Sequence, residues 1–309
     1  MTILFCSEVD CADTYRRTIA EHLPDTPFRA WPDAGPAEAV RYGLVWKPPQ
    51  GLLGSLPNLK AVFNLGAGVD ALMAETEVPA HVPLFRLSDA GMAAQMVEWV
   101  LHGVLRFHRR FDVYEAAQAD GRWAPVPPRL ASQVRVGVMG LGALGGVVAA
   151  RLADLGYAVR GWSRTPRSVA GVEGFHGRDA LPAFLEGTEI LVCLLPLTPE
   201  TRGLLNRETL SRLAPGAAVI NAARGAHVVD SDLLALLDSG HIRGAQLDVF
   251  DPEPLPPEHP FWAHPKVRLT PHVAAVTLAG PACAQIAETI RRLERGETPD
   301  SAVDRTAGY

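Results

Sequence analysis

A chain of 309 residues, 48% hydrophobic and 20% charged, can bury a large core and has room for two domains. Its formal net charge of −5 and pI near 6.1 supply no basic field, which argues against nucleic acid as a partner. No window reaches the roughly 18 uninterrupted apolar residues of a membrane span, and "MTILFCSEVD" carries neither the basic nor the long apolar region of a secretory signal, so a cytoplasmic protein with no membrane partner is expected.

In the first third, "TILFCS" reads as a strand, "DTYRRTIAEHL" as a helix, and "YGLVWKP" and "KAVFNLG" as further strands, a βαβ rhythm that implies a parallel sheet. Met92 to Phe111 reads as one long, mostly apolar helix, suited to a core or to a dimer interface. "DGRWAPVPPRLASQ" reads as a connector. A second βαβ series follows: strands "RVGVMG", "AVRGWS", "EILVCLLP", "AAVINAA", "GAQLDVF" and "VRLTPHV", with helices "GALGGVVAARLADLG", "RDALPAFLEG", "NRETLSRL" and "DSDLLALLDSG" between them. "PACAQIAETIRRLERG" is a closing helix. A nucleotide-type unit that starts in mid-chain, with a helix left over, predicts a discontinuous first domain: 1–98 plus 275–309 around 99–274. The cysteines, Cys6, Cys11, Cys193 and Cys283, form no CxxC and read as free thiols in a reducing compartment.

"VRVGVMGLGALGG" puts glycines at GxGxxG spacing between a strand and a helix. Gly140 permits the tight turn, Gly142 the approach of a pyrophosphate, and Gly145 close helix–strand packing, with Ala143 and Leu144 between them. About twenty residues on, NAD-binding units place an acid that accepts from the ribose hydroxyls. Here stand Ser163, Arg164 and, a little further, Arg167, groups that can donate to a 2′-phosphate. NADPH is the expected cofactor, with NADH the weaker alternative; the plainer reading of Arg164 is a surface residue with no role.

Ligands of open α/β sheets bind at the carboxyl ends of the strands. Those ends deliver Pro196, Leu197 and Thr198; Ala222 and Arg224; Asp248 and Glu253; and His272. When a hydride attacks a carbonyl carbon, charge builds on the oxygen. His272 can supply the proton, Glu253 can orient it through the other ring nitrogen, and Arg224 can polarise the carbonyl and hold a neighbouring carboxylate. A lone histidine is more often structural, and His102 and His108 are read that way. No HExxH or Cys/His spacing suggests a metal, and no GxSxG a serine nucleophile.

Taken together, "GLGALG", "LLPLTPETRGLLN", "INAARGAHVVDSDLLALLDSGHIRGAQLDVFDPEPLPPEHPFW" and "TPHVAA" resemble, in order, the successive motifs of the D-2-hydroxyacid dehydrogenase family. "LVWKPP", "KAVFNLGAGVD", "VPLFRLSDAGM", "GWSRTPRS" and "VDRTAGY" extend the resemblance over nearly the whole chain, towards the branch that reduces glyoxylate and hydroxypyruvate. The resemblance implies two doubly wound parallel-sheet domains, a flavodoxin-like substrate domain and a Rossmann cofactor domain. It implies an NADPH-dependent reductase of small 2-oxo acids, acting as a homodimer, with substrate between closing domains. Arg224 would bind the substrate, His272 act as acid–base with Glu253, and Asp248 lie near the nicotinamide carboxamide. Backbone amides of Leu65, Gly66, Ala67 and Gly68 would hold the carboxylate, with Trp46 and Arg86 lining the pocket; core packing is an equal reading of Trp46. A bulkier substrate such as phenylpyruvate is one rival, and a nucleotide-sensing co-regulator without turnover is another, against which the intact Arg224, Glu253 and His272 set argues.

Overall fold

The computed structural model describes residues 1–73, 78–297, 299 and 302–305, so the end of the "VDRTAGY" motif lies outside the described residues. The chain forms two compact units, Met1–Met92 with Val276–Tyr309, and Ala93–Ala275.

The first unit begins with β1 (Thr2–Cys6), α1 (Ala12–His22), β2 (Phe28–Ala30), β3 (Val40–Val45), β4 (Ala61–Asn64), α2 (Asp70–Met73) and β5 (Leu84–Arg86). The strands pair in parallel in the order β2-β1-β3-β4-β5, the flavodoxin-like arrangement. β1 and β4 are buried along their whole length, as strands covered on both faces must be, and this is why they read as unbroken apolar runs. Neither β2 nor β5 was expected from the sequence: at three residues each, "FRA" and "LFR" are too short to show a period.

The second unit opens with α3 (Met92–His108), whose Met96, Val100, Val104 and Phe107 make a helical stripe sunk in the core. The long helix expected to Phe111 is in fact two. Arg110 takes a left-handed φ of 62°, and α4 (Phe111–Ala119) starts in a new direction. There follow β6 (Arg135–Met139), α5 (Ala143–Asp154), β7 (Ala158–Ser163), β8 (Val172–His176), α6 (Leu181–Leu185), β9 (Ile190–Cys193), α7 (Arg207–Leu210), β10 (Ala217–Asn221), α8 (Asp230–Ser239), β11 (Ile242–Leu247) and β12 (Val267–Leu269). The seven strands are parallel in the order β12-β11-β10-β9-β6-β7-β8, a doubly wound Rossmann sheet whose order reverses between β6 and β9. β8 is an addition to the expected set. Successive residues face opposite ways: Leu191 and Cys193 join one core with Met139 and Val219, while Ile190 and Val192 join the other with Val136 and Val138.

Helix α9 (Ala279–Glu294) returns to the first unit and packs along α1. Glu294 ties it to the sheet, accepting from the Tyr42 hydroxyl and from Lys60 Nζ at 3.0 Å. Among the described residues, no helix is long and apolar enough to cross a membrane. The four cysteines are free thiols.

Candidate active site

The loop after β6 is built on close approaches. Gly140 takes φ 97°, and a Cβ there would come within 2.6 Å of the Leu194 carbonyl oxygen. A Cβ on Gly145 would collide with the Gly140 carbonyl oxygen. Only glycine allows α5 to start so near the strand that feeds it. Gly142 is the N-cap of α5, offers no side-chain cap, and faces open space. Ala143, Leu144 and Gly145 form the first turn, whose N–H groups have no partner within the helix. An uncapped helix start facing open space fits a pyrophosphate.

At the end of β7, Ser163 is 8% exposed and its hydroxyl donates to the Thr165 carbonyl at 2.8 Å, which shapes the turn into exposed Arg164 and Arg167. After β9, Thr201 staples Pro196, Leu197 and Thr198. Its Oγ1 donates to the Pro196 carbonyl at 2.8 Å and accepts from the Thr198 N–H at 2.8 Å.

Arg224 lies beyond β10, half-buried, with Nη1 donating to the Ala223 carbonyl at 2.7 Å. Asn221 closes β10 and clamps the loop: Nδ2 donates to the Arg224 carbonyl at 3.0 Å, and Oδ1 accepts from the Ala223 N–H at 3.1 Å. Between them Ala222 leans back to β9, its N–H donating to the Cys193 carbonyl at 3.3 Å. A Cβ on Gly225 would collide with the Phe250 backbone, so this loop lies directly on the one after β11. His227, fully buried, places Nδ1 3.1 Å from the Arg224 carbonyl and Nε2 3.3 Å from the Pro196 carbonyl, joining two strand-end loops.

Glu253 and His272 meet. His272 Nδ1 lies 2.8 Å from Glu253 Oε2, and Glu253 Oε1 accepts from the Phe250 N–H at 3.1 Å. The ring stays partly open, its side chain 33% exposed against 23% for Glu253. His272 takes φ 56°, a left-handed conformation that a bulky residue keeps only when its surroundings impose it. Asp248, 1% exposed, imposes it here: Oδ1 accepts from the Thr270 hydroxyl at 2.5 Å and the Val273 N–H at 2.9 Å, Oδ2 from the Ala274 N–H at 2.9 Å. Trp99 Nε1 in turn donates to Thr270 Oγ1 at 3.1 Å. Burial pushes the Asp248 carboxyl above its usual range, opposed by the bonds from Thr270, Ala274 and Val273 and by the nearby His272.

In the first unit, Asn64 ends β4 as Asn221 ends β10. Its Nδ2 donates to the carbonyls of Gly66 and Gly68, both at 2.9 Å. The Leu65 N–H is engaged by the Val45 carbonyl at 2.9 Å and its carbonyl accepts from Thr277 Oγ1 at 2.6 Å, so of the expected anion-binding amides those of Gly66, Ala67 and Gly68 carry the idea. The Trp46 indole packs against Gly66, and Arg86, at the end of β5, is in register with Asn64. Residue type alone does not mark Asn64, Asn221, His227 or Thr270 as part of the site. The signal was there for two of them, because "AVFN" and "AVIN" each end a strand on Asn before a small-residue loop.

Chains built on this sheet, with a glycine loop at its switch point and a carboxylate-oriented histidine at its strand ends, are dinucleotide-dependent oxidoreductases. More narrowly, this chain belongs to the D-isomer specific 2-hydroxyacid dehydrogenase family: residues 101–274 match that family's NAD binding domain, and full-length relatives agree. It is 46% identical, over 100% of both chains, to "Glyoxylate/hydroxypyruvate reductase A" of Serratia proteamaculans (strain 568). Among solved structures it resembles a D-isomer specific 2-hydroxyacid dehydrogenase from Xanthobacter autotrophicus Py2 in complex with NADPH and MES, with 49% identity, coverage of 100% and 99% of the two chains, and a TM-score of 0.96. It also resembles the NADPH-dependent glyoxylate/hydroxypyruvate reductase of Sinorhizobium meliloti in complex with NADP and sulfate, with 36% identity, 100% of each chain covered and a TM-score of 0.93.

Proposed function

We propose that this enzyme uses NADPH to reduce small 2-oxo acids, glyoxylate to glycolate and hydroxypyruvate to D-glycerate. The observation that carries the chemistry is the 2.8 Å pair between His272 and Glu253 at the strand ends of a nucleotide-type sheet. Two things support the substrate and the cofactor: the names of the full-length relatives, and Arg164 with Arg167 where an NAD-binding unit carries an acid.

In this reading unit 93–275 holds the nucleotide and the other unit presents the substrate loop. Gly140 to Gly145 receive the pyrophosphate, with Pro196, Leu197, Thr198 and Ala222 along the same edge. NADPH supplies the hydride to the carbonyl carbon. With Glu253 accepting from Nδ1–H across the 2.8 Å contact, the transferable proton of His272 sits on Nε2 and passes to the carbonyl oxygen as charge develops there. Glu253 stabilises the imidazolium before transfer and fixes the ring's orientation. Arg224 draws the carbonyl and carboxylate oxygens together, and its planar fork suits both. In the first unit, the amides of Gly66, Ala67 and Gly68 are the candidates to bind the substrate carboxylate, with Trp46 and Arg86 as further candidate contacts. Asp248 acts through His272 by holding the backbone beneath it.

A homodimer in the cytoplasm is part of the same proposal. Leu105, Phe111 and Val113 of α3 and α4, with Trp123 at 98% exposure, leave apolar surface open on this unit, and light scattering at micromolar concentration tests it. For the activity, absorbance at the nicotinamide band is followed with NADPH or NADH against glyoxylate, hydroxypyruvate, pyruvate and phenylpyruvate. Fast NADPH oxidation with the two small oxidised acids supports the proposal. NADPH binding without oxidation of any of them would overturn it in favour of a binding-only protein.

A further inference from the structure

The NADPH reading leaves a chemical question at the end of β7. The Ser163 hydroxyl already donates its hydrogen bond to the Thr165 carbonyl, so it offers a 2′-phosphate no donor while that bond stands. Arg164 and Arg167 are exposed side chains on the turn after β7. The edge strand β8 adds a further group. Ser163 and His176 are in parallel register, which puts their side chains on the same face of the sheet. The Gly177 N–H donates to the Ser163 carbonyl at 3.1 Å, fixing the two strand ends together. A hollow opens there, lined by Pro166, Arg167, Ser168, Gly174, Phe175 and His176, with about 290 Å³ of space.

Resting on the NADPH reading, we propose that His176 is a specificity-determining residue for the nucleotide: its imidazolium binds the 2′-phosphate alongside Arg167 and makes NADPH selectivity pH-dependent. The charged groups around it define the expected behaviour. Arg164 and Arg167 follow β7, and Arg178 follows β8. Glu200, from the loop after β9, is held below the usual carboxylate range first by its bond with the Thr198 side chain, with Arg164 and Arg178 adding to the effect. Glu200 therefore tempers those two arginines. Glu173 lies on the other face of β8, 3.1 Å from Arg160, and does not compete. His176 and Arg167 remain as the basic side chains lining the hollow itself.

A phosphomonoester gains its second charge near pH 6, whereas imidazole loses its charge near pH 6.5. The two titrations act in opposite directions on affinity. A site held by arginine alone tightens with rising pH and then levels. A site that uses His176 tightens, peaks and weakens again. For an exposed charge pair the expected fall from the peak to pH 8.5 is at most about five-fold.

The test is calorimetric titration of the full chain with 2′,5′-ADP and with 5′-AMP from pH 5.5 to 8.5, for wild type, His176→Gln and His176→Arg. Wild type is expected to peak near neutrality for 2′,5′-ADP only. His176→Gln is expected to bind it about five-fold more weakly at the peak and to level rather than fall. His176→Arg is expected to stay tight with no alkaline fall. 5′-AMP affinity is expected to be the same for all three. Superimposable 2′,5′-ADP curves for wild type and His176→Gln would overturn the role of His176 and leave the NADPH reading standing. Equal wild-type affinity for 2′,5′-ADP and 5′-AMP at every pH would overturn both.

Discussion

Asp248→Asn separates support from contact. The substitution is isosteric and removes one acceptor from a group that is 1% exposed and accepts three hydrogen bonds. In either orientation, the new amide N–H₂ faces a backbone N–H, of Ala274 or of Val273. A buried donor left without an acceptor costs about 1–3 kcal/mol. Burial already works against the wild-type charge, so its removal returns part of that, and the net loss is about 2 kcal/mol. The segment from Thr270 to Ala274 would then relax, and the left-handed φ at His272 would no longer be imposed. A displacement of about 1 Å at the proton donor lowers turnover roughly 100-fold. The assays are the urea midpoint, kcat at saturating NADPH, and NADPH affinity by fluorescence. The expected outcome is a lower midpoint, a kcat reduced by about two orders of magnitude, and NADPH affinity nearly unchanged. An unchanged midpoint with unchanged kcat would refute the holding role. Lost NADPH affinity with intact kcat at saturation would place Asp248 against the nicotinamide carboxamide instead.

His272→Ala is expected to lower kcat by about 10²- to 10⁴-fold while NADPH still binds, as read by fluorescence; loss of binding would reassign the residue. Arg164→Ala is expected to raise the KM for NADPH several-fold more than that for NADH, and equal losses would sink its phosphate role. Glu189→Gln tests a pair remote from the chemistry. Burial raises the Glu189 carboxyl, but hydrogen bonds from Arg129 and from the Arg135 N–H, with their charges, outweigh it and hold the carboxyl below its usual range. A depressed folded value gives stability that is present above the unfolded value near 4.3 and lost as pH falls through the folded one. The variant is therefore expected to lose about 1 kcal/mol at pH 7 and to converge with wild type only as pH falls through the depressed folded value, as read by urea midpoints from pH 7 into the acid range. A constant difference at both pH values would argue that packing, not charge, is responsible.

What could be read from sequence follows from burial. β6, β9 and β10 are covered on both faces and so announce themselves as apolar runs, and the residues just beyond them inherit a known position at the strand ends. β8 is an edge strand in which only Val172 and Phe175 are half-buried and the rest are exposed, with glycines at 171, 174 and 177, so "VEGFH" offers no run to see. The break at Arg110 is a single backbone angle inside a continuing apolar pattern. At the site, residue types that do chemistry stood out: Arg224, Glu253, His272. The residues that hold them did not, because Asn221, His227 and Thr270 act through partners fixed only in three dimensions.

The asparagines that close β4 and β10 bear on how such a site changes over generations. Each ties down its own loop through that loop's carbonyls, Asn64 those of Gly66 and Gly68, Asn221 that of Arg224. Neither shares a partner with the other. The loop after β4 can therefore acquire new side chains while the loop after β10 keeps its shape. Under the proposed function, inheritance could then act on one loop at a time, with the proton-transfer pair left intact.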